Sequence, residues 1–124
     1  MKRFSIIQPI NVTKRSKTYD DIICSFGEFS YNDANNAQKG LTEDLYRWTF
    51  DVEAKDLNDV FASGQEDNYG NGVIKMVGEK RRSISVGDII VDNEDSTCWL
   101  VSGFGFGKLD FWKPENIWKY VEVA

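Results

Sequence analysis

The residues best placed to do chemistry lie in the stretch KRRSISVGD, Lys80 to Asp88. Lys80 precedes Ser83 and Ser85, and Asp88 follows them. A lysine with a lowered pKa can activate a serine hydroxyl, so a Ser–Lys nucleophile pair is the covalent chemistry these types allow. The simpler reading makes Ser83 and Ser85 the wet face of a strand that buries Ile84 and Val86, with Asp88 a turn residue. The chain has no histidine. That removes the commonest general base, the commonest zinc ligand and every Ser-His or Cys-His pair. Cys24 and Cys98 are far apart and form no C-x-x-C pair, so they read as buried, reduced thiols. Carboxylates are plentiful, but in an acidic chain they do not mark a metal site. The expectation is a non-enzymatic protein with no cofactor and no metal.

A second stretch, SGFGFGKLDF from Ser102 to Phe111, could bind rather than react. Alternate aromatics on one strand face can stack on bases, and Gly103-Phe104-Gly105-Phe106 matches the middle of an RNA-recognition strand signature. Ser102 stands where that signature needs a basic residue, Gly107 where it needs valine and Leu109 where it needs an aromatic. A phosphate loop fails as well. Gly107-Lys108 is present, but Ser102 replaces the first glycine and Leu109 the magnesium-binding hydroxyl. What remains is a strand leaving a hairpin, with glycines where neighbours come close.

The elements that must carry these stretches follow from periodicity. Phe4 to Ile10 reads as a strand ended near Pro9, Asn11 to Asp20 as a loop, Asp21 to Phe29 as a second strand and Ser30 to Gly40 as a loop rich in Asn, Asp and Gly. Leu45 to Glu53 alternates strictly, with Tyr46, Trp48, Phe50 and Val52 on a buried face and Arg47, Thr49, Asp51 and Glu53 on a wet one. Leu57, Val60 and Phe61 make a short helical stripe over about 56–63, with Asp56 as N-cap and Gly64 as stop. Gln65 to Gly72 is a loop and Val73 to Val77 a short strand. Ser83 to Val91 is a strand broken at Gly87-Asp88. Thr97 to Val101 returns in a hairpin after the turn Asp92 to Asp95, and Pro114 to Ala124 closes the chain as a last strand. The sum is an α+β fold, a small antiparallel-sheet or barrel-like domain with one short helix.

At 124 residues and 41% hydrophobic, the chain is one domain with enough apolar surface for a core of its own. Its net charge of −5 is uneven. Residues 1–19 hold five bases and no acid, whereas residues 20–95 hold 17 acids against seven bases. An acidic domain repels phosphate backbones at long range. The N-terminal arm and Lys80-Arg81-Arg82 are the local exceptions. No stretch approaches the ~20 apolar residues of a membrane span, and Met1 to Ile10 is too interrupted for a signal peptide. A cytoplasmic location is the expectation.

Two blocks together resemble a family. RRSISVGDIIV, Arg81 to Val91, followed by CWLVSGFGFGKLDFW, Cys98 to Trp112, resembles the YodL-like domains of phages, conjugative elements and polyvalent mobile-element proteins. Arg82 to Ile90 fit the first block in order, and Trp99, Val101, Gly105 and Phe106 fit the second. The resemblance covers about residues 46–112, within a YodL-like core of 45–124. Residues 1–44 are N-terminal strands and loops without a counterpart. It implies a phage or mobile-element setting and makes Gly105-Phe106 a fold signature. It implies no activity.

Two functions follow from these readings. The first is an accessory protein of a phage or mobile element that binds a host or phage protein. The second is a single-stranded nucleic-acid binder that uses the Gly103–Phe106 strand and nearby bases. The candidate binding residues are Arg81, Arg82, Ser83, Asp88, Phe104, Phe106 and Lys108. The crowding of aromatics near the C-terminus also leaves room for a homodimer interface.

Overall fold

The structure is a computed structural model that describes residues 2–10, 16–24, 27–63, 73–76, 83–110, 117, 119 and 120. Six strands form one antiparallel sheet: β1 (Lys2–Gln8), β2 (Arg47–Ala54), β3 (Val73–Met76), β4 (Ile89–Asp92), β5 (Thr97–Ser102) and β6 (Gly105–Lys108). Their order is β3-β2-β1-β4-β5-β6. The sheet is open, with β3 and β6 at its edges, and does not close into a barrel. The class is therefore α+β, as the periodicity implies. β1 is a central strand, so the N-terminal segment is integral to the sheet.

Among the described residues three helices accompany the strands: α1 (Lys17–Ile23), α2 (Tyr31–Thr42) and α3 (Leu57–Ser63). Only α3 is expected from the apolar stripe. It starts as expected: the Asp56 carboxylate accepts from the N–H of Asp59 at 2.9 Å. The other two replace an expected strand and an expected loop. Ser16 caps α1 by accepting from the Tyr19 N–H. Ser30 and Asp33 close a capping box on α2, satisfying two backbone donors reciprocally. Gly40 lies inside α2 because a Cβ there would stand 2.5 Å from Ile22 and 2.8 Å from Tyr46. Glycine is here a packing residue rather than a helix stop.

The sheet buries both faces. Ile7, Ile89, Val91, Cys98 and Leu100 point into a core layer shared with Ile22 of α1 and Ala37 and Leu41 of α2. Phe4, Ile6, Phe50, Val52, Ile90 and Val101 point into a second layer, closed by Val60 of α3 and by Ile84. Fully covered faces read as apolar runs rather than alternation, and β1 and β4 do so.

β2 departs from the expected two-faced strand. Ile6 pairs with Phe50 and Ile7 with Trp48, so Thr49 is an extra residue on β2. This bulge flips the side-chain alternation. Tyr46 and Trp48 enter the helix-side layer, whereas Phe50 and Val52 enter the other. Thr49 and Asp51, expected on a wet face, are buried at 0% and 1% exposure. The closing strand expected over Pro114 to Ala124 lies mostly outside the described residues. Ile117, Lys119 and Tyr120 are in 3₁₀ conformation, not a strand.

Candidate functional site

The chemistry-bearing stretch becomes a buried polar chain. Ser83 to Ser85, expected in a strand, belongs to none, and the chain turns at Val86-Gly87 before β4. Gly87 has φ +95°, the left-handed region that favours glycine, and a Cβ there would stand 2.7 Å from Ile22 Cγ2. Asp88 is fully buried, and its Oδ2 accepts from the Ser85 N–H at 3.0 Å and from Gln8 Nε2 at 3.0 Å. Gln8 in turn accepts from Thr49 Oγ1 at 2.9 Å, which ties the bulge to the turn. Tyr46 Oη donates to the Gly87 carbonyl at 2.7 Å. A buried carboxylate must be hydrogen-bonded to be tolerated, and Asp88 uses that requirement to hold the 83–88 segment over the second core layer. Ser83 is half-buried and Ser85 exposed. Lys80, Arg81 and Arg82 lie outside the described residues, so no Ser–Lys pair is placed.

Two bases of the N-terminal arm, Lys2 and Arg3, are spent on the sheet, Lys17 pairs with Asp21 within α1, and Lys14 and Arg15 lie outside the described residues. Arg3 donates through Nε at 3.0 Å and Nη2 at 2.6 Å to Asp51 Oδ2, while Trp48 Nε1 donates to Asp51 Oδ1 at 2.8 Å. Lys2 donates to Asp92 at 2.5 Å and to Asp95 at 3.1 Å. These two carboxylates hold the Lys2 ammonium above its ordinary range. Burial alone would push the Asp92 carboxyl up; Lys2 and the N–H groups of Asp95 and Glu94 outweigh it and hold the carboxyl low.

The glycine–phenylalanine stretch is the edge hairpin. β5 reverses through Gly103 and Phe104 into β6, and Gly105 has φ +126°, a conformation open to glycine. Ser102 Oγ donates to the Gly105 carbonyl at 3.1 Å, pinning the turn. Gly107 is required by contact: a Cβ there would stand 1.9 Å from Phe29 Cγ. The ring of Phe29 thus lies on the strand, as the close-approach reading of the glycines expects. The two phenylalanines part company. Phe106 is half-buried against the second core layer, whereas Phe104 is 78% exposed at the tip. Lys108 is exposed, 3.9 Å from Asp110, and stands opposite Trp99 in the ladder.

Beside this edge runs a groove of about 530 Å³, lined by Phe29, Tyr31 and Ala34 near the start of α2 and by Lys108 and Asp110 after β6. Tyr31 is 80% exposed. A polar groove of about 630 Å³ lies between α1 and α2, lined by Asp21, Asn32, Asn36 and Lys39 among others. Sequence reasoning misses both because it leaves α2 as a loop.

Of the sequence-derived candidates, the structure gathers Phe104, Phe106 and Lys108 on the β5–β6 hairpin and places Ser83 and Asp88 with the buried chain. Cys98 is buried as expected, but Cys24 is exposed after α1, and both thiols are free. Among the described residues no cluster of three or more Cys, Asp or Glu side chains is placed to hold a metal ion, and no helix is long and apolar enough to cross a membrane. Compared with family models, curated proteins and solved structures, the chain matches none.

Proposed function

We propose that this chain is a non-enzymatic, protein-binding accessory module of a phage or mobile element, acting in the host cytoplasm and docking through the β5–β6 hairpin. The observation that carries the reading is Phe104. A large aromatic, 78% exposed, sits on a turn whose backbone is fixed by Gly105 and Ser102. Rigidly presented aromatics are the usual energetic anchors of protein interfaces. Supporting it, the polar groups best suited to chemistry serve the fold: Asp88 orders the 83–88 segment and Gln8 the bulge. The mobile-element setting rests on the resemblance of Arg81 to Trp112 to YodL-like domains. The cytoplasmic setting rests on the two free thiols.

The test is affinity capture from host-cell lysate with the wild type and Phe104→Ala side by side, followed by reconstitution of the captured protein. A stoichiometric complex that Phe104→Ala weakens supports the reading. Identical capture by both removes it.

One observation favours a second reading. Trp99, opposite Lys108, shares its face with Phe106, which gives a strip of stacking groups beside a cation. Single-stranded DNA or RNA binding there quenches tryptophan fluorescence at low salt and is lost at high salt. A flat titration at low salt ends this alternative.

A further inference from the structure

We infer that the outward face of α2 is a binding site for a neutral saccharide, with Asn35 and Gln38 at its centre and Tyr31 at one end. The site is separate from the hairpin tip and does not depend on the docking role given to Phe104. Tyr31, Asn35, Gln38 and Thr42 follow one another at steps of four, three and four residues, so they form one row along the helix. Asn32, Asn36 and Lys39 form the row beside it. Ala37 and Leu41 lie on the opposite side and enter the core. The first row borders the groove of about 530 Å³ whose other wall carries Phe29 and Lys108. The second row borders the groove of about 630 Å³ that Asp21 of α1 closes. Asn35 and Gln38 line both grooves, so the two meet at these amides.

The three asparagines weaken the helix that carries them, because asparagine is a poor helix former. Capping does not account for them: Ser30 and Asp33 close the capping box between themselves. Nor does hydrogen bonding within the fold. Among the described residues, the side chains of Asn32, Asn35, Asn36 and Gln38 have no hydrogen-bond partner, although Asn35 and Asn36 are half-buried. Residues that break a local rule without a return to the fold mark function. The chemistry of the lining then selects the ligand. A primary amide presents donors and an acceptor in one plane, which suits neighbouring hydroxyls that themselves both donate and accept. Tyr31, 80% exposed, adds an apolar ring face with a polar tip, to which the C–H face of a pyranose ring can lie parallel. Charge is balanced across the site. Lys39 and Lys108 stand against Glu43 and Asp110, while Asp21 is paired with Lys17 at 2.9 Å. An anionic ligand finds one cation in each groove, each accompanied by a carboxylate. A neutral polyol finds a concave surface with a few placed polar groups and one aromatic, the usual make-up of a small-molecule site.

Nuclear magnetic resonance of the isotope-labelled full chain tests the site through the side-chain amide signals. The probes are maltohexaose, cellohexaose and N-acetylated chitohexaose at millimolar concentration, with hexa-adenylate as the charged comparison. At least one saccharide is expected to shift the side-chain signals of Asn35 and Gln38. Asn35→Ala and Gln38→Ala are each expected to weaken that binding about threefold to tenfold, the worth of one neutral hydrogen bond. Tyr31→Ala is expected to weaken it as well. Alanine is the better helix former, so both amide variants are expected to keep or raise the midpoint of urea unfolding. A structural role for the amides predicts the opposite. Phe104→Ala is expected to bind the saccharide as the wild type does, which separates a failure here from a failure of the hairpin reading. No shift with any of the three saccharides overturns the inference. Binding that the amide variants leave unchanged overturns it, as does a lowered urea midpoint in either of them. Shifts with hexa-adenylate alone also overturn it and make the face a nucleic-acid site.

Discussion

Replacing Gly107 by alanine should destabilise the protein, and removing Phe29 first should reverse the sign. The built Cβ stands 1.9, 2.0 and 2.3 Å from three atoms of the Phe29 ring, where ordinary contact begins at 3.4 Å. The ring must move by about 1.5 Å or leave. Its foot, not its tip, is in the way, so a small tilt does not suffice. Overpacking of this kind costs about 1–3 kcal/mol. Phe29 is half-buried against the helix-side core layer. Its burial stabilises by about half the ~1.5–3 kcal/mol of a fully buried large side chain. Gly107→Ala alone is therefore expected to cost about 1–3 kcal/mol, and Phe29→Ala alone about 1–2 kcal/mol, the smaller ring contact being offset by solvent access. In the Phe29→Ala background the clash is gone. The backbone at Gly107 is not in the left-handed region, and alanine in a strand is favoured over glycine by about 0.5–1 kcal/mol. There Gly107→Ala should be neutral to stabilising. Urea unfolding of the four proteins of the cycle, compared at constant m, measures the coupling. Additive single and double effects would refute the claim that this glycine exists to receive Phe29.

Three further outcomes follow from the same geometry. Asp88→Ala leaves the Ser85 N–H and Gln8 Nε2 without their shared acceptor; about 1–3 kcal/mol should be lost in urea unfolding, the cost of leaving a buried polar group unsatisfied. Tyr46→Phe removes only the donor to the Gly87 carbonyl and should cost about 1–2 kcal/mol with no change in secondary structure by circular dichroism. The Asp92 carboxyl is held below its ordinary value of 3.8, so its contribution is present above that value and lost as pH falls through the lowered folded value. Lys2 is held above its ordinary value of 10.5, so its contribution is present below that value and lost as pH rises through the raised one. Thermal unfolding across pH should show a plateau between these limits, and Lys2→Met should flatten the acid limb below pH 4.

Strand existence was legible where apolar runs or alternation persisted: β1, β2, β3 and the β4–β5 hairpin all follow from residue pattern, whereas Ser83 to Val86, expected as a strand, lies outside the sheet and the turn falls at Val86-Gly87. The faces of β2 were not. A single bulged residue, Thr49, inverts the meaning of a period-2 pattern, and its stabilising partner Gln8 is some forty positions away in sequence. α2 was hidden for a different reason. Asn32, Asp33, Asn35, Asn36 and Gly40 are poor helix formers that favour turns. The legible signals were the Ser30-x-x-Asp33 cap and the stripe Ala34, Ala37, Leu41, which outweigh propensity once they meet Ile22 and Tyr46. Missing α2 also hid the groove beside Lys108, because half of its wall belongs to that helix. Of the candidate site, Phe104 was legible as a residue but not as an exposed one: burial of Phe106 and exposure of Phe104 depend on where the turn falls, not on composition.

The bulge also bears on where this protein can act. Moving Trp48 to one face and Phe50 to the other lets β2 feed two core layers, so helices and the 83–88 segment cover the sheet on both sides. A sheet with both faces occupied has no broad wet platform of the kind on which nucleic-acid-binding strands lay out bases. Its remaining backbone valence is at the edges. Val101 turns its N–H and C=O to Asp88 and Gly87, so Phe106 opposite it faces its own outward, and an exposed phenylalanine and a groove of mixed polar and apolar lining lie within one short hairpin's reach. Edge strands are ordinarily blunted by charge. Here Lys108 is the one charged residue on β6, and it stands at the strand's end, leaving Gly105 to Gly107 without a charge to blunt them.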